Sequence, residues 1–226
     1  MRIALINEFS QASKNKAILE TLEKTVLDKG YQVFNTGMSY VDNVNDKEDD
    51  YTKENPRLTY IHAGIQAALL LNSGAVDFVI TGCGTGQGAL LGCNMFPGVV
   101  CGYCIDPTDA FLFLQINNGN AVSIPFAKGF GWGAELNLQY IFEKIFDPPT
   151  GMGYPLNKKE SQNKNAKLLM EIKSKVSLPL IDALERLDKE IVVRALTPRF
   201  LECFNANCKD KDLYHFVHRL LEGSSQ

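Results

Sequence analysis

Apolar and polar residues alternate along the first two thirds of the chain in blocks typical of strands followed by helices. Five short apolar runs predict β-strands at residues 2–7, 31–35, 76–81, 99–104 and 121–124. Apolar side chains spaced three or four residues apart predict helices at residues 12–29, 58–71, 108–116 and 134–145. Gly30 is expected to end the first helix. Residues 36–55 are polar and acidic, which favours a solvated loop over a metal site.

This alternation of strands and helices predicts an α/β protein with a five-stranded parallel sheet covered on both faces. The composition changes at residues 147–155, where three prolines and two glycines in nine residues indicate a linker. Beyond it, apolar stripes at helical spacing predict an all-helical extension that packs on the main domain or on a neighbouring subunit. The expected division is therefore an α/β domain at residues 1–147 and a linker with helical extension at residues 148–226.

Composition excludes several classes of function. The 226 residues are 45% hydrophobic and carry 23 basic and 26 acidic side chains, a net charge of −3 without any basic block, so a nucleic-acid partner is not expected. No apolar run is long enough to span a membrane, and the apolar start of the chain is too short for a signal peptide. Several of the six cysteines lie inside apolar runs, which favours reduced thiols and a cytoplasmic protein.

The strongest candidate for chemistry is the segment Cys83-Gly84-Thr85-Gly86-Gln87-Gly88, which follows a predicted central strand and precedes an apolar helix. Glycines let backbone N–H groups approach a ligand closely, and the start of a helix favours a bound anion. The same helix start favours a cysteine thiolate. A thiolate beside main-chain donors suits proton abstraction next to a carbonyl, with the donors stabilising the enediolate.

Two other interpretations of these residues stay open. Cys83 at a strand end is also compatible with a purely structural thiol. Gly84-x-Gly86-x-x-Ala89 matches a dinucleotide-binding fingerprint, although that fingerprint belongs to the first strand–helix turn rather than to a middle strand. Cys101-x-x-Cys104 lies within a strand pattern and has no second pair, so it is a weak candidate for a metal or redox site.

At these residues the chain resembles the ribose-5-phosphate isomerase type B and galactose-6-phosphate isomerase family. The similarity runs from about Arg2 to about Phe146, and its strongest part is the glycine loop. The loop is followed, in the family's order and at its distances, by these segments: Asn94, Gly98, Asp106-Pro107 and Asn117-Asn118-x-Asn120. The resemblance implies a metal-free, cofactor-free aldose–ketose isomerase with a Rossmann-like three-layer domain. It also implies a homodimer, or a dimer of dimers, with sites between subunits.

The family pattern assigns roles residue by residue. Cys83 stands at the catalytic base, and Thr85 stands at a residue that contacts the substrate and assists proton movement. The other positions expected to bind substrate are Glu8, Tyr60, His62, Gly84, Gly86, Gly88, Asn94, Asn117 and Lys128. Among them, Glu8 replaces an aspartate that touches sugar hydroxyls, and Asn117 matches an asparagine supplied across the dimer interface.

The departures from the family pattern concern ring opening and phosphate binding. Ile116 occupies the position of the ring-opening histidine, and Phe9 that of a phosphate-contacting histidine. Lys128, in a short insertion, is the cation expected to meet a phosphate, with Lys158 and Lys159 as further candidates. We therefore expect an isomerase acting through a cis-enediolate on a different sugar or sugar phosphate. The alternatives are a nucleotide-binding Rossmann-like protein and a non-catalytic sugar-phosphate sensor.

Overall fold

The computed structural model describes residues 1–39, 51–52 and 54–223. Five strands form one parallel sheet: β1 (Arg2–Asn7), β2 (Gln32–Asn35), β3 (Phe78–Cys83), β4 (Cys101–Tyr103) and β5 (Ala121–Pro125). Five helices belong to the sheet-bearing part: α1 (Asn15–Val26), α2 (Tyr60–Asn72), α3 (Gln87–Asn94), α4 (Pro107–Ile116) and α5 (Ala134–Phe146). Five more follow: α6 (Lys159–Val176), α7 (Leu180–Glu185), α8 (Lys189–Ala195), α9 (Pro198–Asn207) and α10 (Lys211–Glu222). The predicted α/β class with a helical C-terminal extension is confirmed.

The strand order is β2-β1-β3-β5-β4, with β3 in the centre. Side chains alternate between the two faces of the sheet, as the pleat requires. Ile3 and Leu5 contribute to one apolar cluster with α1, α4 and α5, whereas Ala4 and Ile6 contribute to another. That second cluster contains α2 and also apolar residues of α7–α10, so the extension packs over α2 as an additional layer.

The observed elements differ from the sequence prediction at two places that matter for the site. The region predicted as one helix at residues 12–29 is divided into a 3-10 helix (Phe9–Lys14), α1 and a short 3-10 turn (Leu27–Lys29) that ends at Gly30. Strand β3 extends to Cys83, beyond the apolar run, because Gly82 pairs with Asn7 and Cys83 with Pro125. Most of the predicted solvated loop, residues 40–50 and 53, lies outside the described residues.

The segment between the two parts is attached to α4 rather than free. Gln115 at the end of α4 accepts a hydrogen bond from Met152 N and donates to Pro149 O. Gly151 N and Gly153 N donate to the backbone of the same helix end. Further along, Gln66 of α2 donates to Ala195 O over 2.7 Å in the buried contact with α8. The division between residues 147 and 148 stays a prediction.

Candidate functional site

Three loops meet at the carboxyl edge of the sheet, because β1, β3 and β5 are its central neighbours. Phe126 N, just after β5, donates to Cys83 O over 3.0 Å, and Ala127 N donates to Gly84 O over 2.9 Å. On the other side of β3, Asn7 pairs with Gly82, which brings the loop after β1 beside the glycine loop. The chain reverses its direction of strand addition between β1 and β3, the position where open parallel sheets bind ligands.

The glycine loop is held by its carbonyl groups. The Thr85 carbonyl accepts from the Tyr103 hydroxyl over 3.0 Å, and the Gly86 carbonyl accepts from the Ser123 hydroxyl over 2.6 Å. Together with the bonds to Cys83 O and Gly84 O, these contacts give all four carbonyls of residues 83–86 a partner in the scaffold. The peptide planes of the loop are therefore fixed in orientation before any ligand arrives.

Cys83 is the last residue of β3 and is 7% exposed, so its thiol lies just below the surface of this edge. Its Sγ is 4.0 Å from the hydroxyl oxygen of Thr85. Gly86, the N-cap residue directly before α3, has a left-handed backbone with φ +73°. Cys83, Thr85 and the start of a helix are thus brought together, in the arrangement the sequence predicts.

Glu8 lies at the same edge and is 2% exposed. Both of its carboxylate oxygens accept hydrogen bonds from Ser10, one from the backbone N–H at 3.1 Å and one from the hydroxyl. Gln11 and Lys14 continue this polar contact, and Gln11 packs against Gly84. Burial lowers the pKa of Lys14 from its usual value. Ser10, Gln11 and Lys14 were not predicted, and the available signal was a polar cluster directly after the first strand.

Tyr60 and His62 begin α2 with different surroundings. The Tyr60 ring lies directly over Gly88 in the first turn of α3. His62 is buried, and its Nδ1 accepts from Thr59 N over 3.0 Å as part of a capping box. Burial, and then the charges of Arg194 and Arg57, lower the pKa of His62 to about 4. The structure therefore gives His62 a neutral ring that supports the helix start, and its contact with substrate stays a prediction.

Two predicted asparagines are not brought to Cys83 within the chain. The Asn94 side chain exchanges two hydrogen bonds with the backbone of Cys101, at the start of β4 and thus at the opposite edge of the sheet. Asn117 follows α4, which runs from the carboxyl edge to the amino edge. With Ile116 it lines a cavity of ≈ 240 Å³ against α6. Asn94 therefore supports the β4 register, and Asn117 meets a glycine loop only if that loop belongs to another copy.

The positively charged side chains at this edge of the sheet differ from those of the family pattern. Phe9, which replaces a histidine, carries the Arg57 guanidinium over its ring, with Cζ 3.7 Å from the ring centroid. Phe9 N also donates to Leu58 O over 2.8 Å, which joins the loop after β1 to the segment before α2. Lys128 is exposed on the turn after β5, next to Ala127, which packs against Gly84. Arg57 is a cation that the sequence did not single out.

Metal ligation and membrane insertion find no support in residues 1–39, 51–52 and 54–223. Within those ranges, no group of three or more His, Cys, Asp or Glu side chains is placed to hold a metal ion. In the same ranges, every helix is too short or too polar to cross a bilayer. Cys101 and Cys104 lie in the apolar core, where burial raises the pKa of Cys104 to about 12.

Comparison with known proteins identifies relatives of this chain in sequence and fold. The sequence model of the Ribose/Galactose Isomerase family matches residues 3–147, and a second model, described as ribose-5-phosphate isomerase, matches residues 176–220. Ribose-5-phosphate isomerase B of Escherichia coli (strain K12) is 36% identical over 75 residues, which cover 33% of this chain and only 50% of that protein.

Two solved structures are similar over nearly the whole chain. A 4-deoxy-L-threo-5-hexosulose-uronate ketol-isomerase complexed with a tartrate shares 47% identity and a TM-score of 0.90, covering 98% of this chain and 100% of that one. A ribose-5-phosphate isomerase from Vibrio parahaemolyticus is 49% identical, with a TM-score of 0.89. The match covers 97% of this chain and 99% of that one. Because the family model spans more than half of the sequence, and the glycine loop lies at the edge where a parallel sheet binds ligands, the chain belongs to the ribose/galactose isomerase family of sugar isomerases.

Proposed function

We propose that this protein is an aldose–ketose isomerase in which Cys83 is the general base. The observation that carries the proposal is the position of Cys83 at the end of the central strand, with Thr85 4.0 Å from its sulfur and the glycine loop fixed behind both. A thiol that served only for packing has no need of a helix start and an anchored loop of backbone donors at its side.

The chemistry requires only proton movements. The Cys83 thiolate takes the proton from the carbon beside the aldehyde, and the carbonyl oxygen gains the resulting negative charge as an enediolate. Thr85 passes the hydroxyl proton between the two oxygens, and Cys83 returns its proton to the former aldehyde carbon, leaving a ketone. Base catalysis of this kind contributes about 10²- to 10⁴-fold, and each fixed donor to the enediolate contributes about 3 kcal/mol.

The substrate we propose is an open-chain sugar acid rather than a cyclic sugar phosphate. Ile116 cannot transfer a proton to open a ring, and Phe9 cannot pair with a phosphate. The substrate named for the ketol-isomerase relative requires neither ring opening nor a phosphate contact. Its name places a carbonyl on the fifth carbon, no hydroxyl on the fourth, and a terminal carboxylate. The aldehyde therefore lacks the hydroxyls that close six- and five-membered rings, and its anionic group is a carboxylate.

Arg57 is the residue we propose for that carboxylate, because its guanidinium is stacked on the ring of Phe9, the residue that follows Glu8 in the chain. A planar guanidinium pairs well with a carboxylate through two parallel hydrogen bonds. Lys128, on the turn beside Gly84, is the second candidate cation, and a partner copy's Asn117 is expected to complete the site. A sugar phosphate is the other candidate substrate, since a relative of similar identity is named as a ribose-5-phosphate isomerase.

The deciding experiment compares both substrates in deuterated buffer. Wild-type protein is expected to convert the deoxy-hexosulose uronate with incorporation of solvent deuterium, and ribose 5-phosphate more slowly. Cys83→Ala should lower kcat by at least about 10²-fold. Cys203→Ala, which removes a thiol that is 1% exposed in α9, is the matched control and should retain kcat. Undiminished deuterium incorporation by Cys83→Ala would exclude Cys83 as the base.

Melting curves of the wild-type protein test the two other classes of function, a nucleotide-binding protein and a sugar sensor. A ligand present at about 100 times its dissociation constant adds about 2.7 kcal/mol to stability, which a melting curve detects. A shift with NAD and none with either sugar would favour a nucleotide-binding protein. Saturable sugar binding without conversion over hours would favour a sensor.

A further inference from the structure

A chain of hydrogen bonds connects a lysine to Glu8 beside Gly84 of the glycine loop. Lys14 Nζ donates to Gln11 Oε1 over 2.7 Å, and Gln11 Nε2 donates to Ser10 Oγ over 3.0 Å. The Ser10 hydroxyl in turn donates to Glu8 Oε1. Lys14 also donates to Phe126 O over 2.6 Å, and Phe126 N bonds to the Cys83 carbonyl. Lys14, which lies in the segment after β1, thus also contacts the loop after β5.

The direction of every bond in this chain is set at the Lys14 end. An ammonium group can only donate, so the Gln11 amide must present its oxygen to Lys14 and its NH₂ group to Ser10. Ser10 Oγ accepts that bond, so its own proton is directed at Glu8. Glu8 is 2% exposed, and a buried carboxylate is stable only when it is paired or hydrogen-bonded. Bonds polarised in one direction along such a chain reinforce one another.

We propose that Lys14 is a positioning residue of the isomerase site, which orients the Glu8 carboxylate toward the substrate hydroxyls through Gln11 and Ser10. This inference rests on the proposed function in one respect, the binding of substrate by Glu8. Lys14 has a second effect, because its bond to the Phe126 carbonyl anchors the turn that holds Cys83. Loss of the Lys14–Gln11 hydrogen bond is therefore expected to raise KM, and loss of the Lys14–Phe126 hydrogen bond is expected to lower kcat.

Two measurements on the full-length protein test the proposal. In the first, the exchange rate of the Ser10 amide, which donates to Glu8 Oε2, is measured by NMR. Lys14→Met and Gln11→Met should each accelerate this exchange by about tenfold, and Lys14→Arg should restore it in part. Lys29→Met removes one cation and a salt bridge with Asp147 beyond the far end of α1, and it should leave the rate unchanged. Exchange at the wild-type rate in Lys14→Met would overturn the proposal.

The second measurement is a double-mutant cycle on KM. Lys14→Met should raise KM by about tenfold in the wild-type background and by less than about twofold when Ser10→Ala has already broken the chain. Equal effects in the two backgrounds would show that Lys14 does not act through Ser10. If the protein converts neither sugar, the proposed function fails. The Ser10 exchange rate still shows whether Lys14 supports Glu8 through Gln11 and Ser10. If Lys14→Met does not fold, Gln11→Met carries both measurements, because it leaves the Phe126 contact intact.

Discussion

The Arg57 guanidinium and the Phe9 ring form a stacked pair, 3.7 Å from Cζ to the ring centroid. The family resemblance places a phosphate-contacting histidine at position 9, and the stack holds a positive charge beside that position on a different side chain. Such a pair contributes about 0.5–1 kcal/mol at an exposed site, and more where water is excluded. We therefore propose that the segment before α2, rather than the loop after β1, supplies the cation for an anionic substrate.

The first prediction concerns the charge of the substrate. Arg57→Met should raise KM for the uronate by about tenfold while kcat changes little, since the carboxylate is bound equally in ground and transition states. Phe9→Leu keeps the cation but removes its support, so a smaller increase is expected. Steady-state kinetics with the uronate and with an uncharged analogue distinguish the effects. An equal loss for the uncharged analogue would contradict a carboxylate contact.

The second prediction concerns acid stability. His62 has a pKa of about 4 in the fold against 6.5 as its ordinary value, because burial and two arginines disfavour its charged form. The unfolded chain therefore binds a proton that the folded chain does not, and stability decreases as the pH falls from 6.5 toward 4. One such histidine lowers the free energy of unfolding by about 2 kcal/mol between pH 7.5 and pH 5.

Urea unfolding at the two pH values measures this contribution. His62→Gln should lose about that amount of the pH dependence, since glutamine can still accept the N–H of Thr59 in the capping box. His215→Gln removes an exposed imidazole from α10 and serves as the control, with wild-type pH dependence expected. A His62→Gln protein with the same acid sensitivity as wild type would show that the His62 ring is not held neutral.

The third prediction separates backbone strain from steric contact in the glycine loop. Gly86 and Gly129 both have left-handed backbones, with φ +73° and +64°. A Cβ at Gly86 would lie 2.6 Å from the Tyr103 ring and 3.0 Å from Pro125 N, whereas a Cβ at Gly129 meets nothing within 4 Å. Gly129→Ala should cost about 1–2 kcal/mol of stability from strain alone. Gly86→Ala should cost about 2 kcal/mol more from overpacking, measured by urea unfolding, and equal costs would contradict the contact.

The fourth prediction concerns the attachment of the C-terminal helices. Gln66→Met removes the buried bond to Ala195 O, a carbonyl that keeps its bond from Thr197 N, and should cost about 0.5–1.5 kcal/mol. Gln139→Met breaks an i,i+4 contact with Glu143 on α5 and should cost at most about 0.5 kcal/mol. Because α7–α10 share one apolar cluster with α2, wild type and both variants should unfold in a single transition. A separate early transition of the C-terminal helices would contradict this coupling.

Much of the fold could be predicted from sequence because its signals are local. Apolar runs and helical stripes predict all five strands and the helices around them, and the family resemblance leads to the glycine loop at Cys83. The end of β3 was not predicted in this way: the apolar run predicts a strand that stops at Thr81, whereas β3 continues through Gly82 to Cys83. The ladder partners of Cys83, not its own neighbours in sequence, extend β3 to the thiol.

The sequence by itself determined the class of fold, the thiol within its glycine loop and the two departures at Phe9 and Ile116, since each depends on residue type and short-range spacing. Only the tertiary structure decided which side chains support that thiol. Lys14 and the Phe126 carbonyl are 112 residues apart in the chain, and they meet because β5 is inserted beside β3. Contacts of this kind depend on strand order, which local periodicity does not encode.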